Sequence, residues 1–265
     1  MCHNRTVVLW LRRLSGGVRV RAVLVTAAVG LALASTAIAG RSIPPLPTQM
    51  SAAARLKIQP VTDRPSLATS VDGEPFVVRR EIFEYLLDHP EFATHITRAL
   101  KFARYQIWRT PDGLAIDDGW GTKGTFEVVY AAPGTRVMYA RGVFEQRILP
   151  DIHGQAVVMI DYGVQPGPDG RSTIRTALTG FVRLDSALLS WAGKLASSVA
   201  RAKAEKEANG LARLFAKTSR AIEDNPAAVY DAVRQRPGVP PRDLAEFARL
   251  LNLAGAGTAS VPAHP

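Results

Sequence analysis

One apolar stripe constrains this chain more than any other feature. Leu184, Leu188, Trp191, Leu195, Val199 and Ala202 recur every three or four residues, and Ala208, Leu211, Leu214, Phe215 and Ile222 continue the pattern. At 3.6 residues per turn these side chains share one face, so the spacing predicts a long one-sided helix from Leu184 to about Ile222. Between the two sets lies Arg201–Glu207 (RAKAEKE), charged on most sides. Such a helix must lay its stripe on something, and the strand-patterned sequence before it is the nearest surface.

That block runs from Phe102 to Asp185. Thr125–Ala132 places Phe126, Val128 and Tyr130 on one side. Arg136–Gln146 places Met138, Ala140 and Phe144 on one face and Val137, Tyr139 and Val143 on the other. Ser172–Leu184 alternates most cleanly, with Ile174, Leu178, Val182 and Leu184 inward and Thr173, Arg175, Thr179 and Arg183 outward. Pro111-Asp112-Gly113, Pro133-Gly134 and Pro166–Gly170 are turns, and short turns between successive strands imply antiparallel neighbours. Thr125–Ala132 and Gln155–Gln165 are apolar on both faces, unlike a sheet with one wet side. Something is expected to cover the second face there, or a cavity to lie against it.

Ahead of the strands, Arg79–Leu87 has helical spacing, Asp88-His89-Pro90 breaks it, and Pro90 suits the first turn of a second short helix. Residues 40–75 hold Pro44, Pro45, Pro47, Pro60, Pro65 and Pro75 and read as an extended linker, with Ser51–Ile58 able to make one helical turn. After Asp224-Asn225-Pro226 come two short amphipathic helices, to about Leu253, and a tail at 254–265 expected to be disordered. The expected division is therefore 1–39, 40–75, 76–223, 224–253 and 254–265.

Residues 1–39 carry Arg5, Arg12, Arg13, Arg19 and Arg21 and no acidic residue. Ala22–Ala39 is uncharged and ends in Ala37-Ile38-Ala39 before Gly40, the grammar of a secretory signal peptide. The run is also long enough to serve as an uncleaved anchor. Export to the periplasm or cell envelope is the expectation in either case. The formal charge is +10, but losing the five arginines leaves 28 basic against 23 acidic residues, a surplus of 5. That ordinary surplus does not argue for nucleic acid, and it is compatible with contact at an anionic membrane surface. The lone cysteine, Cys2, lies in the leader, so a processed chain has no disulfide, thiol nucleophile or thiolate metal site.

Two short helices, a run of antiparallel strands and one long helix resemble, by order alone, the helix-grip fold of START-like lipid-transfer domains and polyketide cyclase/dehydrase-like proteins. The resemblance spans Phe76 to Ile222 and implies an α+β fold: a curved antiparallel sheet wrapped around the long helix, with the last helices added. It also implies an apolar cavity between sheet and helix. On that reading Phe126, Tyr130, Tyr139, Phe144, Met159, Tyr162, Trp191 and Leu195 are the candidate lining, with Arg141 and Asp161 as a headgroup anchor or internal ion pair. A filled core draws on the same residue types, and the two charged residues also fit an outer, solvated face.

Other constellations point less far. Glu91 and His95 have metal-ligand spacing without a third partner, which favours a solvated helix face. His153 is expected in a loop. Asp117–Gly121 (DDGWG) reads as a bend, and Gly142 and Gly180 mark a bulge or a close backbone approach. No motif names a catalytic residue, a metal or a cofactor. The expected activity is binding of a hydrophobic small molecule or lipid. An envelope interaction protein without a cavity is the first alternative. A cyclase/dehydrase-like enzyme using Asp161, Arg141 or His153 is the second. Oligomeric state is not legible.

Overall fold

A computed structural model of the chain describes residues 44–111, 113–145, 151–185 and 193–253, with the backbone alone for 193–201 and 203. Residues 1–39, expected to be a signal peptide, and the expected tail at 254–265 lie outside the described residues.

The fold is α+β, with one eight-stranded antiparallel sheet and helices on both faces. The strands are β1 (Leu67–Asp72), β2 (Phe76–Val78), β3 (Gln106–Thr110), β4 (Gly113–Asp117), β5 (Thr122–Ala132), β6 (Thr135–Phe144), β7 (Ile152–Pro166) and β8 (Ser172–Leu184). Their order is β1-β8-β7-β6-β5-β4-β3, and β2 continues the β1 edge along β8. The helices are α1 (Ala52–Thr62), α2 (Arg80–Asp88), α3 (Pro90–Ala99), α4 (Gly193–Asp224), α5 (Pro226–Arg234) and α6 (Pro241–Leu250). The long C-terminal helix α4 lies against one face of the sheet, in the helix-grip arrangement. Leu184 closes β8 rather than opening that helix.

The expected α4 stripe is met in part over the described side chains: Ala208, Leu211, Phe215 and Ile222 face the core, whereas Ala202 is exposed and Ala212 and Ala216 are buried beside them. Ala212 packs with Val71 of β1 and Leu178 of β8, flanked by Ala208, Leu211 and Phe215. Ala216 and Ile222 join Ile160, Tyr162 and Ile174 in the largest core, which also takes in α2, α3, α5 and α6. The residues beyond 224 are thus part of the main core. Phe247 of α6 is fully buried, its ring centroid 5.3 Å from that of Phe92 in α3. Among the described residues no helix is long and apolar enough to cross a membrane.

The stretch expected to be a linker is not one. Ser51 caps α1 by accepting the Ala54 N–H. Ala54, Ile58 and Val61 of α1 are buried on the second face of the sheet against Val137, Tyr139, Val157, Met159 and Phe181. This helix is the cover that the doubly apolar strands demanded. Pro60 sits near its C-terminal end, where a missing N–H costs one bond of the last turn, and burial of Ile58 and Val61 outweighs that loss. β1 then pairs with β8 from Leu67↔Val182 to Asp72↔Ala177, supplying the long first strand of which sequence pattern showed only Phe76–Val78. β1 ends before Gly73, where the backbone runs so close to Thr176 that a Cβ would lie 2.3 Å from its Oγ1.

Candidate functional site on the concave face of the sheet

Residues paired across antiparallel strands share a face, so register assigns each strand residue to the α4 side or the α1 side. On the α4 side, the end of the sheet bearing Arg136, Ile160, Tyr162 and Ile174 is filled. Phe83 of α2 meets Tyr162 edge-on with ring centroids 5.2 Å apart. The Tyr162 hydroxyl donates to Glu84 at 2.9 Å, and burial followed by that bond pushes its phenol pKa up. Arg136, 7% exposed, donates through Nε and Nη2 to Asp88 at the end of α2.

Toward the other end the same face changes. Phe126, Ala140, Phe144, Ala156, Val182 and Leu184 all lie on it by register, and every one keeps part of its surface accessible. Three glycines stand side by side here: Gly124 pairs with Gly142, and Gly142 with Gly154. A Cβ on Gly124 would lie 2.3 Å from Arg141 O, and one on Gly142 would lie 2.6 Å from Lys123 O. The backbones approach closely here and the row leaves this face free of side chains; in the helix-grip arrangement the face toward α4 is the concave one. An apolar, glycine-floored surface next to a filled core can hold an apolar guest.

The residues expected to line a single pocket divide between the two faces. Phe126, Phe144 and Tyr162 are on the concave side, with Tyr162 in the filled part. Tyr139 and Met159 are buried beneath α1 on the opposite face, where Tyr139 donates to Gln155 Oε1. Tyr130 is expected beside Phe126, but the register shift between Val128 and Tyr130 turns it to the α1 side, opposite Val137. Arg141 is exposed on that same face. Asp161 is also there, accepting from Thr135 Oγ1 at 2.7 Å. Arg141 pairs with Gln155 and Asp161 with Thr135, so about 20 Å of strand separates them and they form no ion pair. His153 lies within β7 opposite Val143, not in a loop, and is likewise far from Asp161. The three polar residues of the enzyme alternative thus do not converge. Trp191 lies outside the described residues, as does the side chain of Leu195.

Residues missed in the sequence are small: Ala140, Ala156, Val182 and the glycine row. The signal for them was three strand-interior glycines. A cleft of about 610 Å³ opens at the rim of the Tyr162 end, beside Tyr162 and Thr176, but Asp72, Asp161 and Arg175 in its wall suit it poorly to an apolar guest.

Glu91 is not on a solvated face. It is buried and paired with Arg109 of β3. His95 is partly buried, and burial, with Arg236 and Arg98 adding to it, holds its pKa below the ordinary value against the pull of Asp243. A base with a lowered folded pKa binds fewer protons folded than unfolded. Its stability contribution is complete above the ordinary histidine range and declines as pH falls from about 6.5. Urea midpoints measured between pH 7.5 and 5.5 are expected to fall less for His95→Gln than for the wild type. Equal slopes would contradict the placement.

No protein-family model and no curated protein matches the chain. Among solved structures it is similar to a conserved protein from Geobacillus kaustophilus, with 14% identity and TM-score 0.40, over 60% of this chain and 97% of that one. It is also similar to a hypothetical protein from Helicobacter pylori, with 13% identity and TM-score 0.34, over 57% and 88%. Truncated norcoclaurine synthase from Thalictrum flavum shares 10% identity at TM-score 0.25, over 54% and 92%. At such scores none of them says what this chain binds.

Proposed function

We propose that the protein is an exported START-like carrier, not an enzyme, that takes an apolar or lipid-like molecule onto the concave face of its sheet. The observation that supports this is the gradient along that face among the described residues: buried side chains at Arg136, Ile160, Tyr162 and Ile174, and partly accessible apolar residues beside a glycine row at the Phe144 end. The acid-free leader and Ala22–Ala39 support delivery to the cell envelope, where lipid-like molecules are the abundant apolar ligands.

The test is uptake of cis-parinaric acid, read by its fluorescence gain on entering an apolar site. Phe126→Arg places a charge on the proposed surface and is expected to weaken uptake about tenfold or more, since an unpaired charge facing an apolar guest costs upward of ~1.4 kcal/mol. Arg141→Ala, on the opposite face, is expected to leave it unchanged. Wild-type protein that takes up neither this probe nor extracted envelope lipid would favour an interaction protein instead.

A further inference from the structure

The bend between β4 and β5 is built to hold an indole outward. Asp117 Oδ1 accepts the Gly119 N–H at 2.8 Å, and Asp118 Oδ1 accepts those of Trp120 and Thr122 at 2.6 and 2.9 Å. Gly119 and Gly121 sit at φ of 73° and 109°, where other residues are strained. Between them Trp120 is 71% exposed. Its ring has the Arg104 guanidinium 5.2 Å from the centroid, and Lys101 is exposed just before. Trp108 of the edge strand β3 is also exposed, but it pairs with Ala115 and so lies on the α1 side of the sheet.

The bend is tied to the Phe144 end of the concave face. Gly121 O accepts the Glu145 N–H at 2.8 Å, and a Cβ on Gly121 would lie 3.5 Å from the Phe144 ring. Thr122 pairs with Phe144 itself. An indole suits the boundary between headgroups and acyl chains, because one side is apolar and the ring N–H stays hydrated. Cations beside such rings add attraction to anionic headgroups. We infer that the Trp120 bend docks the Phe144 end of the concave face onto an anionic phospholipid bilayer. This rests on the carrier reading, since it gives a lipid-like guest a path from membrane to sheet.

The experiment uses the full chain with phosphatidylcholine vesicles containing a minority of phosphatidylglycerol, with and without dibrominated acyl chains. The acid-free leader can itself seek a bilayer, so the readout is the Trp120 signal, taken as the emission difference between wild type and Trp120→Ala. Brominated chains are expected to quench that difference several-fold, and high salt to reduce the quenching. Leu56→Ala removes an exposed apolar side chain on α1 and is expected to leave the quenching intact. An unquenched difference signal, or quenching lost in Leu56→Ala instead, would overturn the inference and leave the bend to a protein partner. Parinaric acid uptake measured on the same variants separates the two readings. Uptake retained in Trp120→Ala, together with quenching of the Trp120 signal, supports both. Quenching of Trp120 in a protein that takes up no probe keeps the docking surface and removes the carrier.

Discussion

Glu223→Ala is expected to cost about 3 kcal/mol, the lower end of the penalty for removing one partner of a buried ion pair. Glu223 Oε1 accepts from the Arg79 backbone N–H at 2.9 Å and from its Nε at 3.2 Å, and Arg171 approaches Oε2 at 3.5 Å. Arg79 also donates through Nη1 to Leu250 O at the end of α6. One carboxylate near the C-terminus of α4 thus fixes the β2–α2 junction and the last helix together. The side chains of Glu223 and Arg79 are only 9% and 14% exposed, so truncation strands a guanidinium that water reaches poorly. Glu127→Ala breaks the pair with Lys57, which is short at 2.6 Å but 45% and 44% exposed. Such a surface pair contributes about 1 kcal/mol or less. Urea unfolding of the two variants should show a clear gap, and equal losses would mean the α4–β2 junction is not held this way.

How far the sequence was legible depends on whether local pattern and tertiary burial agree. Strands β5 to β8 are strand-patterned, β8 most cleanly, and Pro133-Gly134 and Pro166–Gly170 mark two of their turns, so their local preference and final environment coincide. The Pro90 break between α2 and α3 was readable for the same reason. α1 was not, because Pro44 to Pro65 argue locally against a helix. Its decisive signal, Ala54, Ile58 and Val61 at helical spacing, has value only once a bare sheet face waits for it. The site failed differently. Alternation separated Met138 and Phe144 from Tyr139, but it carries no mark of which face meets α4. The bulge at Val128 then reversed the parity of Tyr130 without any glycine or proline to announce it. Large aromatics drew attention, and Phe126 and Phe144 do lie on the accessible part of the concave face, but much of the rest is made by Ala140, Ala156, Val182 and glycines.

Those absent side chains lead to the second large effect. Gly124→Val is expected to cost about 3 kcal/mol or more and to lower the melting temperature by roughly 6–12 °C. Gly124 and Gly142 face each other across β5 and β6, each filling the space where the other's Cβ would need to go. A valine puts its Cβ on Arg141 O and 2.9 Å from Gly142 Cα, with two methyls beyond. Backbone cannot rotate away as a side-chain tip can, so the strands must part and lose ladder bonds, or the sheet must flatten. Gly163→Ala, also in β7–β8 paired sheet, meets nothing within 4 Å and is expected to stay within about 0.5 kcal/mol of the wild type. If thermal unfolding followed by circular dichroism showed the two variants alike, close approach would not be what bends the sheet. If Gly124→Val folds but loses parinaric acid uptake out of proportion to its stability, then curvature itself, rather than any single lining residue, makes the concave face able to hold a guest.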